Sequence, residues 1–360
     1  MDVIKTSLII GIAITFYYLL LQWPAVNQSA VIETEDTFYV NSYSDSEPSL
    51  SEPLSPLSSS PILNNGNDEN EDKYFQIQNE SLSLLVNART GRFEFSKLKT
   101  INKSKDSDEP FMVLGNTLNK DSGVENIYFA NSGFYTRTQG YLNPEFTKFS
   151  ERQTDGNSRL YSLEGAANGM SFNRTIEMPK NGYKLIVEDR IISSLNEDVS
   201  ITPYVVIERD DSVVEEGGLM YTYLGPVFSS TKDTYEKYDF DDIREAPYQN
   251  KSYGGWVALI QHYFLSAWVP EKGEEYLYQG RYGENSRRFS LGYTSRDSVL
   301  SYGESKTVRN TLYVGPKLPK QLAEIEENLD LTVDYGFLWW LGKPMYWLLD
   351  LGNSIFNNWG

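Results

Sequence analysis

The chain has 360 residues, with 32 Lys and Arg against 50 Asp and Glu, a net charge of −18 and 26 Tyr. That length holds one large domain or two ordinary ones, and the acidity excludes nucleic acid as a partner and anionic lipid held by charge alone. With no Cys and a single His, His262, disulfides, thiol nucleophiles and multi-histidine metal centres are also excluded.

Residues 3–23 read VIKTSLIIGIAITFYYLLLQW and carry no charge between Thr6 and Leu21. About 20 such residues span a hydrocarbon core at about 1.5 Å per residue. Residues 1–23 are therefore expected to form a transmembrane anchor. The alternative is a cleaved signal peptide, whose apolar region is normally shorter. Lys5 precedes the span, and no Lys or Arg follows until Lys73. The positive-inside rule then puts the N-terminus in the cytoplasm and the bulk of the chain beyond the membrane.

Residues 24–73 are rich in Ser, Asn, Pro, Asp and Glu, and poor in large apolar groups. Such a stretch cannot bury enough surface to offset its ordering entropy, and a disordered tether is expected.

From Tyr74 to residue 330 the texture changes to short apolar–polar runs broken by Gly, Asn, Asp and Pro. Strand-like runs fall at 74–78, 82–86, 171–178, 183–192, 201–208 and 310–314. The stretch TIEM-PKNG-YKLIVEDRI predicts a hairpin, with Asn181-Gly182 supplying the positive φ of a tight turn. The run WVALIQHYFLSAWV at 256–269 is nearly all apolar yet too short to span a bilayer. It reads as a central strand pair with a tight turn, or as one strand buried on both faces. Together these runs predict a large antiparallel β-sandwich. His262 lies inside the apolar run and is expected to be a core or strand-face residue, not a catalyst. Asp239, Asp241 and Asp242 lack the register of a helix–loop–helix calcium site and read as a solvated acidic loop. Gly254-Gly255 reads as a turn. Residues 320–328, after Pro316 and Pro319, show the spacing of a short amphipathic helix.

The tail, LDLTVDYGFLWWLGKPMYWLLDLGNSIFNNWG, concentrates aromatic rings at 331–360. Trp and Tyr favour the membrane–water interface. An amphipathic interfacial helix is expected over 335–352, broken near Pro344, with Phe337, Trp339, Trp340, Leu341, Met345, Trp347 and Leu348 as its membrane-interface residues. The alternative is that these rings pack internally.

Several of these runs occur together, and in order, in one known family. YEKYDFDDI (235–243), GGWVALIQHYFLSAWVP (254–270), TLYVGPK (311–317), LDLTVDYGFLWWLGKPMYWLL (329–349) and IFNNWG (355–360) resemble the YidC membrane protein insertases of Gram-negative inner membranes. The match is strong from about Tyr221 onward and weak over 24–150. The resemblance implies a periplasmic β-supersandwich, similar in fold to galactose mutarotase, followed by an interfacial helix. It implies a role in inserting, folding and assembling inner-membrane proteins, without a covalent reaction or a cofactor. The partners it implies are inner-membrane lipid, nascent inner-membrane proteins and the Sec translocon including SecDF. Docking to SecDF is expected around Tyr235, Glu236, Tyr238, Asp239 and Asp241. In the family, insertion belongs to a five-helix membrane core with an Arg-bearing hydrophilic groove. The chain stops where the second transmembrane helix is expected, so it is expected not to insert proteins alone. The alternative function is a membrane-anchored carbohydrate-binding or mutarotase-like protein. Mutarotase chemistry uses paired histidines beside a Glu, and this chain has only His262.

Overall fold

The computed structural model describes residues 74–104, 107–119, 124–154, 157–211 and 223–333. The apolar leader, the acidic linker and the aromatic tail with its expected interface residues at 337–348 lie outside these residues.

Among the described residues, twenty-one strands build the body. In chain order they begin with β1 (Tyr74–Gln78), β2 (Leu82–Asn87), β3 (Phe93–Asn102), β4 (Pro110–Phe111), β5 (Gly115–Asn119), β6 (Val124–Thr136) and β7 (Gly140–Tyr141). Next come β8 (Glu145–Gln153), β9 (Arg159–Ala167), β10 (Met170–Met178), β11 (Lys184–Ser193), β12 (Val199–Asp210), β13 (Gly225–Ser229) and β14 (Glu236–Lys237). The last seven are β15 (Tyr248–Tyr253), β16 (Trp256–Ile260), β17 (Phe264–Pro270), β18 (Glu275–Gly283), β19 (Arg288–Thr294), β20 (Ser298–Leu300) and β21 (Ser305–Pro316). Helix α1 (Phe240–Glu245) precedes β15, and α2 (Pro319–Ile325) with a 3-10 turn at Leu329–Thr332 follows β21.

The strands form two antiparallel sheets. The first runs β1-β2-β3-β6-β12-β19-β18-β15, and the second β14-β13-β16-β17-β21-β11-β10-β9-β8. This is the expected antiparallel supersandwich. Alternating burial along β10 and β11 turns Phe172, Ile176, Leu185, Val187 and Ile191 inward, as period-2 geometry requires. Their outward residues are more exposed. β16 and β17 are buried along their whole length, which fits their place inside the second sheet. The run at 256–269 is thus the strand pair, joined by Gln261–Tyr263.

The core lies between the sheets. Trp268 stacks edge-on to Phe93 at 6.3 Å and donates its indole N–H to Val206 O at 3.1 Å. Tyr128 of the first sheet shares a hydrogen bond of 2.5 Å with Ser266 of the second. The indole N–H of Trp256 donates to Glu327 O at 3.2 Å, fastening the segment after α2 to the start of β16. Leu322, on the inner face of α2, is fully buried, and Pro319 opens that helix as the sequence predicts.

The β10–β11 hairpin forms in the expected register, with Glu177 opposite Ile186. Its loop is wider than the expected tight turn: residues 179–183 intervene, and of Asn181 and Gly182 only Gly182 has positive φ, at 96°. The loop is shaped by a neighbour. Asn79, buried in the β1–β2 turn, donates through its amide to Pro179 O at 2.9 Å and Gly182 O at 3.0 Å. Its carbonyl oxygen accepts from the N–H groups of Ser81 and Leu82.

Candidate functional site

The expected docking residues gather at one corner of the body. Tyr235 is half-buried, with its ring 6.2 Å from that of Trp256. Glu236 accepts a hydrogen bond from the Tyr248 hydroxyl at 2.8 Å, and Tyr238 packs edge-on to the Tyr248 ring at 5.2 Å. Burial raises the Tyr248 hydroxyl above its usual pKa; the bond from Asn250 opposes this, and the Glu236 carboxylate adds to it. Three of the five residues are thus engaged within the body, whereas Asp239 and Asp241 face solvent. Asp241 is 88% exposed and pairs with Arg244 at 3.1 Å.

Two expectations need correction here. The acidic triplet is not a free loop. Asp239 is the N-cap of α1, and Asp242 accepts from the Asp239 N–H at 3.0 Å, so the carboxylates complement a helix N-terminus. His262 is not a core residue. It sits exposed in the β16–β17 turn, edge-on to Tyr263 at 4.5 Å. Among the described residues no cluster of His, Asp and Glu is placed to hold a metal ion.

A second feature was not expected from the sequence. In the first sheet, Tyr128, Ala130, Val205, Ile207, Leu291 and Tyr278 join the core. The residues between them point to the opposite face. Strand register then lines up Phe129, Glu208, Ser290 and Arg281 as lateral neighbours on β6, β12, β19 and β18. The next row on that face is Asn131, Val206, Gly292 and Gln279. Tyr141 and Tyr204 close over this surface, their rings 4.8 Å apart at 77°, leaving a cleft lined by Tyr141, Tyr204, Gln279, Arg281, Ser290 and Gly292. Arg92 approaches from the β2–β3 turn, its guanidinium 4.2 Å from the Phe129 ring centre.

The cleft is electrostatically unsettled. Burial pushes the Glu208 carboxyl above its usual pKa, against the pull of Arg92, Arg288 and a bond from Ser290. Arg288 Nη1 lies 3.8 Å from Glu208 Oε2, too long for a hydrogen bond. Burial also raises the Tyr204 hydroxyl, against Arg174 and Arg92, and raises the Tyr141 hydroxyl, reinforced by Tyr204 and Glu208. Among the described residues, the buried Nε atoms of Arg92, Arg281 and Arg288, the Gln279 Nε2 and the Asn131 Oδ1 have no hydrogen-bond partner. Each such group costs about 1–3 kcal/mol. Packing alone does not require them on this face.

A strand-built double sheet with a polar cleft on one face and an aromatic–acidic corner defines a large antiparallel β-domain. The family profile described as the YidC periplasmic domain matches residues 74–348, and the chain belongs to that family. Among curated relatives, the membrane protein insertase YidC of Haemophilus influenzae strain Rd is 29% identical over 372 residues, covering 100% of this chain and 65% of the relative. That of Marinomonas sp. strain MWYL1 is 30% identical over 366 residues, covering 96% of this chain and 64% of the relative. The chain thus spans just under two thirds of the length of these relatives. Among solved structures, a putative aldose 1-epimerase from Klebsiella pneumoniae aligns with a TM-score of 0.47 at 8% identity, over 75% of this chain and 86% of that one. The GH36 alpha-galactosidase AgaA from Geobacillus stearothermophilus aligns at 0.43 and 7% identity, over 68% of this chain and 41% of that one.

Proposed function

We propose that this chain is the anchor, linker and periplasmic body of an inner-membrane protein insertase, which helps newly made membrane proteins to insert, fold and assemble, alone or with the Sec translocon including SecDF. The observation that carries this reading is the family match over the whole sheet body, joined to alignment of this chain's full length with about two thirds of proteins named as insertases. The sugar-binding alternative has weaker support, since the chain has a single His where mutarotase chemistry uses a pair.

The N-terminus lies in the cytoplasm, residues 1–23 cross the membrane, and the body stands in the periplasm on a tether. The aromatic tail meets the lipid interface through Phe337, Trp339, Trp340, Leu341, Met345, Trp347 and Leu348. The body's geometry supports this layout. Asn79 ends β1 beside the β10–β11 loop, and β16 ends beside that same pole, where Phe264 pairs with Pro316 and Val314 bonds to Tyr183. Tyr74 therefore sits one strand's length from that pole, and Glu327, bonded to Trp256, sits another. Tyr74 and Glu327 are thus both set back from that pole.

Insertion breaks no covalent bond. The barrier is the desolvation of polar groups in lipid, several kcal/mol for each unsatisfied backbone group. This chain contributes position: it holds the body at the membrane and offers Asp239, Asp241 and the rings behind them to the translocon. The test is a depletion strain supplied with residues 1–360, or with the same residues joined to a relative's remaining helices. Recovery of insertion with the joined form alone supports the reading; recovery with neither refutes it.

A further inference from the structure

The cleft on the outer face of the first sheet has an excess of donors. Among the described residues that line it, Gln279 Nε2 and Arg281 Nε are buried donors with no hydrogen-bond partner, and no buried side-chain acceptor there is left unpartnered. Gln279 is only 8% exposed and lines the cleft with Arg281. The carboxylates of Glu94, Glu208 and Asp210 lie on the same face of this sheet, Asp210 opposite Arg288 in register and accepting from the Ile127 N–H. Of these, Glu94 is committed to the Tyr74 hydroxyl at 2.8 Å and the Asn87 amide at 3.3 Å. Glu208 is drawn on by both Arg92 and Arg288 and accepts from Ser290. The result is a hollow in which the unpartnered buried side-chain groups are donors.

Such a hollow matches an acceptor-rich ligand. A neutral sugar brings roughly as many donors as acceptors, so its hydroxyl hydrogens would compete for the few acceptors present. A carboxylate or phosphate brings acceptors only, in the planar or tetrahedral arrangement that guanidinium groups bind best. Gly292, in the middle of the cleft floor between Val206 and Gln279, puts no side chain in the way. The rings of Tyr141 and Tyr204 flank it with apolar surface.

We propose that this cleft is a binding site for a small anionic molecule, its carboxylate or phosphate held by Arg281 and Gln279 and its remaining atoms lying against Tyr141 and Tyr204. The site rests on the geometry of the first sheet alone and is independent of the insertase reading. A phosphate group has two sources, a lipid headgroup or a soluble molecule, and the probes distinguish them.

The experiment is calorimetric titration of the whole chain in detergent with inorganic phosphate, glycerol 3-phosphate as the headgroup mimic, D-glucuronate and D-glucose. At least one anion binds saturably, at least tenfold tighter than glucose. Preference for glycerol 3-phosphate assigns the lipid source, and preference for phosphate or glucuronate the soluble one. Arg281→Gln weakens that binding at least tenfold, whereas Tyr302→Ala, on the exposed surface, leaves it unchanged. Because Arg281→Gln also alters a half-buried position, the unmodified chain supplies a second readout: arginine Nε–Hε resonances shift on saturation with the bound anion. Absence of saturable anion binding, equal affinity for glucose, unchanged affinity in Arg281→Gln, or unmoved arginine resonances each overturn the proposal.

Discussion

Arg174 and Asp189 face each other across β10 and β11, with Arg174 Nε donating to Asp189 Oδ1 at 2.6 Å and the two side chains 3% and 6% exposed. The guanidinium also reaches the first sheet, donating to Ser132 O at 2.6 Å and to Gly91 O. Ser132 in turn donates to Asp189. One cation thus joins the two sheets, and the hydrogen bonds it makes are themselves buried. Removing one member of such a pair leaves an uncompensated charge, at a cost of about 3–5 kcal/mol. Arg174→Met is expected to lower the unfolding free energy by that amount, moving the denaturant midpoint at constant slope. A loss below about 1 kcal/mol would mean that water reaches the site.

Adjacent glycines in the β15–β16 turn are expected to respond unequally. Gly254 and Gly255 have φ of 88° and 103°. A Cβ on Gly254 meets nothing within 4 Å, whereas one on Gly255 would lie 2.1 Å from Ser229 O. Gly254→Ala should cost about 1–2 kcal/mol, the left-handed strain alone. Gly255→Ala should cost more, because β13 must move as well. Equal losses in chemical denaturation would contradict this.

Stability is expected to fall at alkaline pH. Burial pushes the Tyr128 hydroxyl up to about 12 from the ordinary value of 10.0, despite its bond to Ser266 and the nearby Arg209. Between those values the unfolded chain has released this proton and the folded chain retains it. The folded state then binds more protons, and stability declines as pH rises from about 10 toward 12. Tyr276 shifts in the same direction, again to about 12, through burial and then Glu274 and Glu271. Tyr128→Phe should flatten the decline over this window while losing the Ser266 bond at neutral pH. An unchanged slope would show that Tyr128 does not contribute.

Docking to the translocon is expected to depend on Asp241 more than on Glu236. Glu236 holds Tyr248, so its reversal disturbs packing as well as charge. Asp241→Lys alters an exposed carboxylate whose pairing with Arg244 is an i,i+3 bridge, worth little to stability. Its expected signature is at least a threefold loss of SecDF in co-purification, with thermal unfolding unchanged. Full recovery of SecDF would remove this corner from the interface.

The legible parts of the fold were those set by local pattern. The alternation in MSFNRTIEM and KLIVEDRIIS marks Arg174 and Asp189 as inward-facing, and the hairpin register then makes them partners. Pro319 marks the start of α2. The run at 256–269 reads equally as a strand pair or as one strand buried on both faces, because its nearly unbroken apolar texture conceals that Gln261–Tyr263 is the turn, which places His262 outside the core. The only local clue was two polar side chains in succession. The cleft was not legible at all. Phe129, Glu208, Ser290 and Arg281 become neighbours only through the register of four strands drawn from distant parts of the chain. In sequence, each looks like an ordinary outward residue of an alternating strand.

The central claim, that this body serves an insertase at the periplasmic face of the inner membrane, is tested most directly by its position. Since the chain has no Cys, single cysteines at Tyr302, in the described body, and at Ser7, near the N-terminal end of the apolar span, can be probed in intact cells with a membrane-impermeant thiol reagent. The account predicts labelling at position 302 once the outer membrane is permeabilised, and at position 7 only after the inner membrane is broken. Labelling of position 302 only after inner-membrane lysis would contradict it.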